Sequence, residues 1–125
     1  LSICIFLIIF VVGLFSCSNL NDSSEFDNLS EGEVIQCSNY IKYIDMEYGE
    51  DEEQTLDLYI PTNYNLNGII VAIHGGAWTS GDKSEYDNLM ASLAESRAAC
   101  ATINYRYASN DVSFYDIIND ICNIQ

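Results

Sequence analysis

The sequence predicts an α/β fold in which antiparallel edge strands lead into a β-α-β-α alternation, with helices covering both faces of a layered sheet. Three observations predict it. Residues 68–74 (GIIVAIH) form a continuous apolar, β-rich run, the pattern of a strand buried on both faces of a parallel sheet. Residues 98–105 (AACATINY) form a second such run. Each is followed by a stretch with helical apolar spacing behind a capping pattern.

Taken in order, the chain opens with residues 1–15 (LSICIFLIIFVVGLF), apolar and uncharged. A run of this length suits a secretory leader, although neither Met nor a basic residue precedes it, so the natural start is expected upstream. Leu14-Phe15-Ser16-Cys17 resembles a bacterial lipobox, with Phe15 bulkier than the residue usual at that place. The resemblance implies lipidation of Cys17 and an exported, membrane-anchored protein of the cell envelope. A cleaved leader with an incidental cysteine (plain secretion) and an uncleaved single-pass anchor remain the alternatives. Residues 1–17 are thus read as leader. Residues 18–32, rich in Ser, Asn, Asp and Glu, are read as a flexible tether, and residues 33–125 as the globular part.

Residues 40–48 and 55–60 alternate with β-branched or aromatic side chains around the acidic turn 49–53, which predicts an antiparallel pair. Leu56, Leu58 and Ile60 are expected on one face, with Pro61 closing the strand. After the apolar run 68–74, Ser84 and Asp87 read as a capping box. Tyr86, Leu89, Met90, Leu93 and Ala94 then form an apolar stripe that reaches Arg97. Ser113 and Asp116 repeat the cap, and Phe114, Ile117, Ile118, Ile121 and Cys122 are expected to line one face of a second helix. With two parallel strands and an antiparallel edge, these elements read as the front half of a larger sheet.

The balance of 19 acidic to 4 basic residues, with Lys42, Lys83, Arg97 and Arg106 far apart, leaves no cluster to neutralise phosphates. A nucleic-acid partner is not expected. The acidic turn 49–53 lacks the interleaved ligands of a calcium loop, and no Cys/His spacing suits zinc, so no metal is expected. Beyond Cys4 and Cys17, three cysteines remain, which argues against a complete disulfide framework. Cys100 and Cys122 read as small core hydrophobes.

The chemistry-bearing stretch is residues 69–82, IIVAIHGGAWTSGD. A strand runs straight into His74-Gly75-Gly76-Ala77-Trp78, and consecutive glycines there let the backbone turn sharply and present its N–H groups. Ligands of open α/β sheets bind beyond the carboxyl ends of the strands. The block resembles the HGGxW oxyanion loop, followed by Gly-Asp-Lys, of α/β-hydrolase esterases and lipases. Leu56-Asp57-Leu58-Tyr59-Ile60-Pro61 resembles the strand before that loop, and Asn104-Tyr105-Arg106 the end of the strand after it.

The resemblance, carried by three landmarks in order, implies the N-terminal half of an α/β-hydrolase three-layer sandwich. It implies oxyanion donors at Gly75, Gly76 and Ala77, with loop support or a pocket wall from His74 and Trp78. It also implies a serine hydrolase of carboxylic esters that needs no cofactor and acts on small-molecule or polysaccharide-linked esters. Acetyl and feruloyl esterases share the loop form. No G-x-S-x-G occurs, and His74 precedes the place a triad histidine would take. These residues are therefore expected to supply an oxyanion loop without nucleophile, acid or base. Asp82 and Asp120 read as loop and helix-surface residues. The alternative function is a non-catalytic binding or interaction protein, or a truncated pseudoenzyme, on the same fold.

Overall fold

The computed structural model describes residues 9–12, 33–63 and 68–124. Cys17, most of the leader, the tether 18–32 and Gln125 lie outside the described residues.

The strands are β1 (Ile9–Val12), β2 (Glu33–Gln36), β3 (Tyr40–Glu47), β4 (Thr55–Pro61), β5 (Ile69–Ile73) and β6 (Cys100–Ile103). Among the described residues they form one sheet in the order β1-β5-β6-β4-β3-β2, in which β5 and β6 run parallel and the other neighbours antiparallel. The sheet is therefore wider than the expected two parallel strands with an antiparallel edge. Glu33–Gln36 adds a strand to one side, and Ile9–Val12, inside the segment read as leader, pairs with Ile69–Ala72 on the other.

Helices α1 (Asp87–Glu95) and α2 (Phe114–Cys122) lie on opposite faces, giving three layers. Beneath α1, Met90 and Ala94 pack with Tyr59, Ala72 and Cys100. Beneath α2, Ile121 and Ile124 pack with Met46, Leu56, Val71 and Ile103. Burial of a side chain such as Met90, 1% exposed, contributes about 1.5–3 kcal/mol.

Four local points sharpen or correct the expectations. First, β4 is buried on both faces, and Asp57 and Tyr59, at 2% and 1% exposure, are more deeply buried than Leu56. The central strand carries α1 over its Asp57/Tyr59 face and places Leu56 and Leu58 together on the other. Second, the first helical cap is Asp82, not Ser84. Its carboxylate accepts from Ser84 N at 2.9 Å, and Glu85 returns the bond to Asp82 N. A 3-10 turn over Lys83–Tyr86 precedes α1 and shifts its phase, leaving Leu89 44% exposed.

Third, α2 has the Ser113/Asp116 capping box but turns a different face inward. Ile117, Asp120, Ile121 and Ile124, at helical spacing, face the sheet, while Phe114, Ile118 and Cys122 are exposed. Fourth, Asp120 is no surface residue. At 2% exposure it accepts from Arg106 Nε at 2.9 Å and from Gln54 Nε2 at 2.9 Å. Asp120 is thereby satisfied on the inward face of α2 by a buried Gln54 and a half-buried Arg106.

Candidate active site

The site grows from the C-terminal end of β5. Past Ile73 the chain leaves the sheet through His74 and rises into a crest at Gly75, Gly76, Ala77 and Trp78, all four exposed. It returns through Gly81 to Lys83, which is 6% exposed. The crest is conformationally strained. Gly76, Ala77 and Trp78 have φ of 113°, 53° and 64° in succession. A bulky side chain in this left-handed region is a genuine outlier, and each such non-glycine residue costs on the order of 1–3 kcal/mol.

The two crest glycines differ. A Cβ on Gly76 would strike the Ser80 carbonyl, so glycine is demanded by the backbone there. A Cβ on Gly75 would meet nothing within 4 Å. Among the described residues, the amides of Gly75, Gly76 and Ala77 have no hydrogen-bond acceptor.

His74 lies beneath the crest, 3% exposed, with its ring stacked on Tyr105 at a centroid distance of 4.4 Å. Its Nδ1 is 2.8 Å from the Gly75 carbonyl, the geometry of a proton donated to that oxygen. Nε2 has no partner among the described residues. Tyr105 also donates its hydroxyl to the His74 carbonyl at 2.9 Å. Trp78 stands 48% exposed, edge-on to Phe114 at 5.4 Å. Its carbonyl accepts from Ala108 N at 2.7 Å. The sequence-singled residues 74–78 therefore share one loop, with an aromatic wall from Trp78, Phe114 and Tyr115 beside it.

Below the loop lies a cluster of charges centred on the buried Asp57 and Lys83, which the sequence motifs contain as landmarks. Asp57 on β4 pairs with Lys83 and with Lys42, the latter at 3.0 Å. Lys83 also reaches Asp45 at 2.7 Å, and Lys42 reaches Asp87 at 3.1 Å. Asp45 makes the β-bulge of β3 with φ of 55° and donates its amide to Asp57 Oδ1. Burial pushes the Asp57 carboxyl upward, but hydrogen bonds from Lys83, the Asp45 amide and Lys42 outweigh it, so Asp57 lies below the ordinary carboxylate range. Burial likewise opposes the Lys83 charge, and its bonds to Asp45 and Asp57 win, so its ammonium is held above the usual lysine value. Neither is poised to trade protons near neutrality. Among the described residues no group of three or more His, Cys, Asp or Glu could hold a metal ion.

The NYR landmark acquires a physical account here. Asn104 accepts from Lys83 N at 2.7 Å and donates to Asp82 at 3.0 Å. Tyr105 holds His74, and Arg106 holds Asp120. The buried charge within LDLYIP was the signal available in the sequence. A central-strand aspartate demands a cation, and only four basic residues exist.

The family model described as BD-FAE matches residues 56–124, more than half of the chain. The chain belongs to the BD-FAE family. Consistent with this, it is 38% identical over 60 residues to an isoprenylcysteine alpha-carbonyl methylesterase of Arabidopsis thaliana, covering 47% of this chain and 14% of that protein. A putative thioesterase from a Silicibacter species superposes with a TM-score of 0.59 at 27% identity, covering 66% of this chain and 30% of the other. Esterase B of Lactobacillus rhamnosis, solved with a tributyrin phosphonate inhibitor, superposes with a TM-score of 0.56 at 31% identity, covering 69% and 29%. This BD-FAE chain thus has the expected α/β-hydrolase architecture and resembles esterase-type hydrolases, while spanning under a third of the length of these relatives.

Proposed function

We propose that the protein containing this chain is a serine hydrolase of carboxylic esters, and that residues 74–78 form its oxyanion loop. The observation that carries the reading is the crest itself. Successive amides of exposed residues, without acceptors among the described residues, are held in a strained turn at the carboxyl end of a strand in the parallel pair. Donors fixed in advance where a tetrahedral oxyanion develops stabilise it without reorganising at the moment of reaction, typically by about 3–4 kcal/mol per donor. Gly76 and Ala77 are assigned as the principal donors, with Gly75 leaving room for the acyl group. Trp78 forms part of the pocket wall, and His74 supports the turn by fixing the Gly75 carbonyl.

The nucleophile, acid and base are assigned to residues outside these 125. The substrates proposed are small-molecule or polysaccharide-linked esters, and the chemistry requires no cofactor. The protein expressed from its whole reading frame is expected to hydrolyse short-chain nitrophenyl esters and to be inactivated by a serine-trapping phosphonate. Absence of hydrolysis, with the fold intact, would favour a binding protein instead.

Export and anchoring through Cys17 are proposed from the lipobox-like sequence alone. Incorporation of a palmitate analogue, abolished by Cys17→Ala, is the expected result. Labelling that persists in the variant sinks the anchor.

A further inference from the structure

We propose that Asp57 and Lys83 are positioning residues for the crest, a buried ion pair that fixes the exit of the loop to the central strands and thereby sets where its amides stand. The proposal rests on the oxyanion reading of that loop.

Besides the Asp45 carboxylate, at 2.7 Å from its ammonium, Lys83 is fastened at three points to the central strands. Its N–H donates to Asn104 Oδ1 at 2.7 Å, its carbonyl accepts from Thr102 Oγ1 at 2.9 Å, and its ammonium pairs with Asp57. These partners lie on or just past two adjacent strands, β4 and β6. Asp57 is equally committed, accepting from Lys83, Lys42 and the Asp45 amide. Both side chains are almost fully enclosed.

Such a pair is a poor stability device, because desolvation offsets its attraction and apolar residues of similar volume often serve as well. What it supplies is direction, with each group bonded along a defined line. The crest above needs that support. Ala77 and Trp78, successive left-handed residues, are strained, and strain persists only where the surroundings over-determine it. His74, Thr79, Ser80 and Ala108 bond the crest carbonyls, and among the described residues nothing bonds the amides of Gly75, Gly76 and Ala77, so the fixed exit is a second constraint on where those amides stand.

The test uses Trp78, a member of the crest, in the protein from the whole reading frame, with its signal isolated by subtracting that of the matching Trp78→Phe variant. The variants are Lys83→Met, Lys83→Arg, and the double variant Asp57→Asn/Lys83→Met. The double variant removes both partners and leaves Lys42 paired with Asp87, so it remains informative where the single Met variant fails to fold. Folding is checked by circular dichroism, and the loop is read by Trp78 fluorescence anisotropy and emission maximum. In the protein from the whole reading frame, kcat and KM for nitrophenyl acetate are measured alongside.

The expected result is a folded double variant with lower Trp78 anisotropy and red-shifted emission. Its kcat should fall about 100-fold at unchanged KM, the scale of a small misplacement of catalytic groups. Lys83→Arg should recover most of both signals. Wild-type anisotropy in the folded double variant overturns the proposal whatever kcat does. Lowered anisotropy with no hydrolysis by any form, wild type included, supports the positioning role and instead sinks the oxyanion reading.

Discussion

The crest and the exit of one loop are built on opposite principles. Residues 75–78 are exposed and left-handed at three positions, with amides that bond to no described acceptor. Residues 81–83, a few steps on, are bonded nearly everywhere. Gly81 accepts from the Tyr107 hydroxyl, Asp82 caps the following turn, and Lys83 is fastened to both central strands. A strained, solvent-facing segment is one that local unfolding would normally relax. Under the proposed positioning role, the bonds that fasten its neighbour account for the retained strain. The same contrast appears between the adjacent glycines, since Gly76 is required by its own backbone and Gly75 is not.

The largest break in this comparison comes from Asp57→Ala, which leaves Lys83 and Lys42 buried without their shared partner. A loss of about 3–5 kcal/mol is expected from urea denaturation. An unchanged midpoint would show that the exit is not held electrostatically.

Gly81→Ala is next. Its φ is 111°, and a Cβ would collide with His74 Nδ1 and the Gly75 carbonyl. A cost of about 2–4 kcal/mol combines strain with overpacking, read from the same denaturation curves.

Acid removes part of the same support. Hydrogen bonds from Ser84 and Asn104 outweigh burial and lower Asp82 to about 2, and Asp57 is lowered as well. A depressed carboxyl contributes stability that is complete above its unfolded value of about 4 and is lost as pH falls through the folded one. The denaturation midpoint is therefore expected to decline from pH 4 toward 2, and Asp82→Asn to flatten that decline. The raised Lys83 value acts with the opposite sign, and only above the ordinary lysine range near 10.4.

Away from the loop, Ser113→Ala should cost only about 1 kcal/mol, the ordinary worth of a helix cap. Calorimetry of the variant checks it. Smallest of all is Gly75→Ala, expected within about 0.5 kcal/mol of wild type, because the site is open.

Much of this arrangement was legible from local pattern. The runs 68–74 and 98–105 became β5 and β6, and the Ser113 cap stands where its spacing put it. The loop 74–78 could be singled out because consecutive glycines after an apolar strand are unusual. What stayed hidden depends on contacts distant in sequence. Asp57 and Lys83 are 26 residues apart, and Asp120 meets Gln54 across 66. No periodicity records such partners. The inward face of α2 was misread for the same reason, since Asp120 is polar by type yet buried by its arginine.

The central claim is that the open crest serves ester hydrolysis, and Gly75→Val tests it most directly. Hydrolysis of nitrophenyl acetate by the whole protein and this variant should be measured beside their urea midpoints. The account predicts a variant as stable as wild type to within about 0.5 kcal/mol, with kcat/KM reduced about 100-fold or more by the intruding side chain. A stable variant that hydrolyses at the wild-type rate would contradict it.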